Sequence, residues 1–245
     1  MRSISEKFFI PATIVLALSF AAFAQDAGKN GKRNSRPQQS ASETVKPNGA
    51  ERSGPIYRYE FSQPDFVISH IIIDHGPDGN GTITFDRKDY DEEITDPLLL
   101  SSATIEAINS ALTELNYLDS NEDYQYSKDY SHLGQMEFTL TDGERSRKVT
   151  YNWTENKGAK ALAEEYRKIA NQYIWMFDIN LARENQPLES PRVVSRLDSF
   201  LRRGEISDPP NMLPFLRSLT MDERMPLMAR NHIQRLIDRI EKAKK

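Results

Sequence analysis

Residues 158–181 read GAKALAEEYRKIANQYIWMFDINL, and this stretch decides the fold because it carries more apolar surface at helical spacing than any other. Leu162, Tyr166, Ile169, Tyr173, Met176 and Phe177 recur at three- and four-residue steps, so on a helix they share one side, and that side requires a core. Trp175 and Ile179 fall on the other side. The second half of the helix is therefore apolar around most of its circumference, as expected of a rod with neighbours on two faces. The sequence places it between a sheet that precedes it and a helical tail that follows.

The preceding residues carry two-residue periodicity. Ile56 to Phe61 alternates aromatic with charged residues, Phe66 to Asp74 is dense in β-branched residues, and Thr82 to Asp86 alternates again. Between the last two lies HGPDGNG (75–81), a strong hairpin turn. Ile105, Ile108, Leu112 and Leu115 predict a helix from about Ser102 to Asn116. Met136, Phe138 and Leu140, the Asp142-Gly143 turn, and Val149, Tyr151 and Trp153 predict a second hairpin. Hairpins on either side of a helix favour an α+β fold. Its antiparallel sheet of two hairpins has helices packed on one face, because parallel strands would each need a crossover.

From Ser190 the pattern is helical throughout. Ser190-Pro191 with Val194, Leu197, Leu201 and Gly204 marks one helix, Asp208-Pro209-Pro210 to Leu219 a second, and Asp222 to Lys242 a third. This gives a C-terminal three-helix extension (186–245) packed on an α+β domain (55–185). Leu213-Pro214-Phe215-Leu216, Asp222, Ala229, Leu236 and Ile240, within 209–242, resemble a HEAT-type helical hairpin. A solenoid needs about three such units; one stands here, so the helices are expected to cap the sheet domain through Trp175 and Ile179.

The first 54 residues bear on location. Arg2 and Lys7 precede an apolar run, Phe8 to Phe20, and Ala22-Phe23-Ala24 supplies a small-x-small cleavage pattern, so 1–24 reads as a signal peptide. The run is shorter than a spanning helix requires. The chain contains no cysteine, so an exported product stands on its core without disulfides. Residues 25–54 hold no aromatic residue and one valine, and read as a disordered linker. Removing the signal segment, with Arg2 and Lys7 against Glu6, takes the net charge from −4 to −5; the linker carries six bases against three acids, so residues from 55 onward sum to −8. That balance offers no electrostatic footprint for nucleic acid. The signal segment leads to the expectation of a periplasmic or secreted location, and the chain beyond it looks similar to exported proteins of environmental Gram-negative bacteria, a resemblance that supplies no activity.

Three patterns are candidates for chemistry. Residues 76–87 resemble the calcium loop of EF-hand proteins at Asp78, Asn80, Gly81 and Ile83. Gly76 and Arg87 stand where that family needs its first acid and its last bidentate Glu, so Asp78 and Asn80 are metal candidates only in a hairpin turn. Tyr117, Tyr124, Tyr126 and Tyr130 interleave with Asp119, Glu122, Asp123 and Asp129. Rigid amphipathic rings among acids suit a contact surface, while the competing reading folds the loop over the sheet edge and buries its own rings. Of the four histidines, His70, His75, His132 and His232, no two share a helical face at metal-ligand spacing. Nucleophile-elbow, zinc-protease, phosphate-loop and dinucleotide motifs are all missing, and no catalytic residue or cofactor is indicated.

The expectation is a non-enzymatic envelope binding or interaction protein. Its partner would be an envelope protein or polysaccharide, met through Tyr117, Asp123, Tyr124, Tyr126, Asp129 and Tyr130. A hydrolase with an acidic site and a calcium-responsive structural protein are the alternatives.

Overall fold

Six strands form one antiparallel sheet in the order β4-β3-β2-β1-β5-β6. They are β1 (Ile56–Ser62), β2 (Ile68–His75), β3 (Asn80–Arg87), β4 (Ile94–Leu99), β5 (Gln135–Asp142) and β6 (Arg145–Tyr151). Among the described residues five α-helices accompany the sheet: α1 (Ser102–Glu114), α2 (Lys157–Asn185), α3 (Ser190–Arg203), α4 (Leu213–Met221) and α5 (Leu227–Ala243). The structure, a computed structural model, describes Gly54 to Ala243; the expected signal peptide and, but for Gly54, the expected linker lie outside the described residues.

The register follows the alternation of the sequence. Tyr57, Tyr59 and Phe61 lie opposite His75, Ile73 and Ile71 of β2 and opposite Leu140, Phe138 and Met136 of β5. These residues share one face, which is buried with α1 and α2 in a core that includes Ile83, Phe85, Ile108, Tyr151, Leu162, Tyr166 and Ile169. At roughly 1.5–3 kcal/mol per fully buried apolar side chain, this layer is the main source of the sheet's stability. The opposite face is polar. Glu60 and Glu137 are cross-strand neighbours there, and His70 and Lys148 bridge to them at 2.9 and 2.6 Å, which offsets the like-charge contact.

The fold is α+β, and β4 adds a strand to the expected hairpins. Its sequence ITDPLL contains Pro97, which lacks a ladder donor and reads as a break. At the sheet edge, opposite Thr82, a proline costs nothing on its outer side. The end of this edge is capped: the Tyr173 hydroxyl donates to Leu99 O (2.8 Å) and accepts from Leu99 N (2.9 Å). Two glycines are required by close approach. A Cβ on Gly81 would lie 2.0 Å from Asp74 O, and one on Gly158 would lie 2.9 Å from the Leu115 side chain, where α1 meets α2.

Helix α2 spans 29 residues, longer at both ends than the apolar pattern alone defines, with Asn156 capping its start through Ala159 N. Its length is about 43 Å, against about 25 Å for an eight-residue strand, so it overshoots the sheet. The overshoot is covered by the later helices. Trp175 and Ile179, both fully buried, join Val194, Leu197, Leu216, Ile233 and Ile237 in a second core, and the Trp175 indole N–H donates to Val193 O at 2.8 Å. Helix α5 starts at Leu227 rather than Asp222. Met225 precedes a proline and is biased away from helix, while the Asp222 carboxylate accepts from the Arg224 backbone N–H at 3.0 Å and closes a turn there.

Candidate functional groove

The stripe of α2 next to its core-facing side carries Lys160, Ala163, Glu164, Arg167, Ala170, Asn171 and Ile174, again at three- and four-residue steps. Two positions that would fill the space above the sheet are alanines. A groove of about 900 Å³ remains between α2, the end of the sheet where β1 meets β2, and α3. Its floor and sheet-side wall are mostly apolar, with Phe61, Phe66, Ile68, Ile71, Met136 and Trp153, and with Asn152 and Thr154 as polar members after β6; Val67, Leu133 and Tyr151 also line it, and Phe200 adds an apolar side chain from α3. Four of these are large apolar side chains left in water: Phe66 is 44 % exposed, Val67 63 %, Leu133 40 % and Trp153 36 %. Isolated apolar residues at a surface are ordinary, but four converging on one concavity with a buried apolar floor are characteristic of a binding site.

Charge at the mouth is unevenly placed. The helical wall carries Lys160, Arg167 and Arg196 against Glu164, while Asp65 stands on the β1–β2 turn. Arg196 shares the buried Asp178 carboxylate with Arg87, tying α3, α2 and the end of β3 together below the mouth. Burial pushes the hydroxyls of Tyr59 and Tyr151 on the groove floor well above the ordinary tyrosine range, so both stay neutral.

The tyrosine-rich segment divides in two. Tyr117 and Tyr124 are buried, at 2 % and 3 % exposure. The Tyr117 hydroxyl donates to Phe138 O at 2.8 Å, and Arg147 lies over both rings at 5.0 and 5.1 Å from their centroids. Arg147 also donates to Tyr117 O, Glu122 O and the Tyr124 hydroxyl. For these two rings the loop is folded over the sheet edge, so they offer no contact surface. A single arginine at the right register of β6 anchors it, and no local pattern in the loop announces that residue. Tyr126 and Tyr130 remain half-exposed and pack on Trp153, with centroids 4.6 and 5.5 Å from it. Asp123 and Asp129 are exposed; Asp123 accepts from Gln125 N at 2.9 Å and Asp129 accepts from the Asn152 amide. Through Trp153, the outer half of the loop becomes the margin of the groove.

The 75–81 segment is a hairpin turn between strands, where the calcium-loop resemblance implies flanking helices. The Asp78 carboxylate accepts from Asn80 N (3.1 Å) and from the Asn80 side-chain amide (2.7 Å), which is the work of an Asx turn. Among the described residues, no group of three or more His, Asp or Glu side chains is placed to hold a metal ion.

The histidines are spread across the fold. His75 is fully enclosed, stacks on Tyr57 at 4.7 Å and donates from Nδ1 to Gly76 O, so Nε2 accepts from the Tyr166 hydroxyl at 2.9 Å. Burial lowers its proton affinity, and it is a neutral core residue. His70 lies on the polar face between Glu60 and Asp86, and His232 faces Asp198 at 3.5 Å.

Among the described residues, no helix is long and apolar enough to cross a membrane. No protein-family model matches the chain, and no curated protein is similar to it in sequence.

Residue patterns did not point to the groove because its lining comes from four separate segments, each read on its own as strand, turn or core. The signal that was available is the pairing of Phe66-Val67 in a turn with Ala163 and Ala170 seven residues apart, a helix face deliberately low in volume beside an apolar loop.

Proposed function

We propose that the protein is a non-enzymatic binding protein of the Gram-negative envelope, exported by its N-terminal segment, and that it holds its partner in the groove between α2 and the β1–β2 end of the sheet. The observation that carries this reading is the convergence of Phe66, Val67, Leu133 and Trp153, all still in water, on a floor already buried. Burying them in a complex yields roughly 25 cal/mol per Å² of apolar surface, a gain the free protein forgoes. Tyr126, Tyr130 and Asp129 extend the same surface outward from Trp153, so the contact role expected of the loop is assigned to its second half.

The direct test is capture of envelope material by the wild-type protein and by Ala163→Trp, which places an indole in the groove. Ala163 is half-buried at the groove wall, so the variant keeps its fold, checked by circular dichroism and melting temperature. Capture lost in the variant supports the reading. Capture unchanged, with the fold intact, removes the groove from consideration.

A further inference from the structure

Resting on that reading of the groove, we infer that its ligand is a long acyl chain carrying an anionic head, with the chain on the apolar floor and the head at the helical wall beside Lys160 and Arg167.

Three features lead to this class. First, the strands that make up the floor offer no open edge to a peptide. The floor lies on the face of strands β1, β2 and β5, each flanked by ladder partners on both sides, and against a helix whose backbone is satisfied internally. An extended peptide laid there would bury its own amides without partners, a penalty that hydrocarbon does not incur. Second, the sheet floor is an aliphatic and aromatic mixture, Phe61, Ile68, Ile71 and Met136, continued by Ile174, while the polar lining residues Asn152, Thr154 and Asn171 come from the end of β6 and from α2. That floor suits a flexible chain of uniform polarity, and a sugar would leave its hydroxyls facing carbon. Third, the cations are on one wall. Lys160 and Arg167 are exposed and lie two helical turns apart on the same stripe of α2; Arg167 also acts on the Glu205 carboxylate, which Arg203 pairs at 2.7 Å. Glu164 lies between them and Arg196 is engaged by Asp178, so the helical wall stays net positive, while Asp65 stands on the β1–β2 turn. An anionic head is drawn to the helical wall, and the tail then runs across it toward Phe66 and Val67.

The chemistry has two natural sources, a free fatty acid and the acyl portion of an anionic phospholipid, and the test separates them. The purified protein is titrated with dansylaminoundecanoic acid, and the probe is displaced by palmitate, by hexadecanol, by myristate and by dipalmitoyl phosphatidylglycerol. Palmitate is expected to displace the probe, with myristate weaker by about ten-fold because two methylenes are lost. Reversing both cations, Lys160→Glu with Arg167→Glu, is expected to weaken palmitate by about ten-fold while leaving hexadecanol unchanged. Displacement by palmitate alone identifies a free acid site, and displacement by the phospholipid as well identifies a lipid site. Ala163→Trp, or the exposed-rim variant Val67→Asp, should abolish probe binding with the melting temperature retained. The inference is overturned if neither acyl compound displaces the probe, if hexadecanol and palmitate respond alike to the charge reversal, or if an amphipathic helical peptide binds where the acyl compounds do not. Should envelope capture still depend on Ala163 in that case, only the ligand class fails; should capture also be indifferent to Ala163, the groove itself fails.

Discussion

Replacing Trp175 by alanine tests the claim that α2 is shared by two layers. The indole is fully buried, packs edge-on against Phe215 at 6.2 Å and donates to Val193 O. Truncating a buried Trp costs about 3–5 kcal/mol when the site cannot collapse, and the lost hydrogen bond adds about 1 kcal/mol. Against a total stability of roughly 5–15 kcal/mol, the melting temperature should fall by about 10 °C or more for a folded region of this size. Trp175→Phe retains most of the ring and should lose about 1–2 kcal/mol. The assay is urea unfolding followed in two ways. The chain has two tryptophans, so in the Ala variant the fluorescence comes from Trp153 on the sheet side, while the far-ultraviolet signal follows the helices. Because one helix runs through both cores, the two transitions should shift together. An Ala variant within 1 kcal/mol of wild type, or a helical transition that moves while Trp153 reports no change, would refute the shared-rod architecture.

Five further outcomes follow from the same structure. Tyr117→Ala and Tyr124→Ala should each cost about 3–4 kcal/mol in chemical denaturation, whereas Tyr126→Ala and Tyr130→Ala should stay within about 1 kcal/mol, because only the first pair is enclosed. The Arg224 guanidinium beside Asp222 holds that carboxyl at about 2 instead of 3.8. Its stabilisation is therefore complete above pH 4 and vanishes as the pH falls through 2, and Asp222→Ala should remove about 1 kcal/mol near neutrality and flatten melting curves across that window. Asp178→Asn weakens its hold on Arg87 and Arg196, whose side chains are 19 % and 45 % exposed. Solvent screening brings the loss to about 1–2 kcal/mol, below the cost of breaking a wholly enclosed pair, and added salt should shrink it. Gly81→Ala drives a methyl into Asp74 O and should prevent soluble expression or lower the melting temperature by more than 10 °C, while calcium added to the wild type should leave that temperature where chelator leaves it.

Much of this fold was legible because the core obeys local periodicity. The alternation in 56–61, 82–86 and 136–140 sets the buried face, and the spacing from Leu162 to Phe177 sets the helix that covers it. Trp175 and Ile179, read as facing a second layer, do face one. Strand β4 was hidden because Pro97 is a breaker everywhere except at a sheet edge, and edge position is a property of the assembled sheet. The fates of Tyr117 and Tyr124 were hidden for a related reason. Whether a ring in an acidic loop is buried depends on Arg147, more than twenty residues downstream in another element. Local pattern identifies amphipathic rings; only the register of β6 says which of them an arginine will cover.

The groove is a consequence of the same economy that makes α2 the hub. A helix of about 43 Å beside strands of about 25 Å cannot be lined by one layer. Its facing stripe turns from the sheet toward α3, and between the two the groove opens beside half-buried Ala163 and above buried Ala170. A sequence under pressure only to fold would fill the groove with Leu or Phe, since each large side chain buried there is worth about 2 kcal/mol. This chain instead has Ala163 and Ala170 there, and sets Phe66, Val67 and Trp153 around the opening. On the function proposed above, small residues inside and large apolar ones at the rim leave room for a foreign apolar body that packs against the rim. Filling the groove in place, by Ala163→Leu, should therefore raise the stability of the protein while abolishing capture, and a variant that gained neither stability nor lost binding would show that the space is an accident of packing.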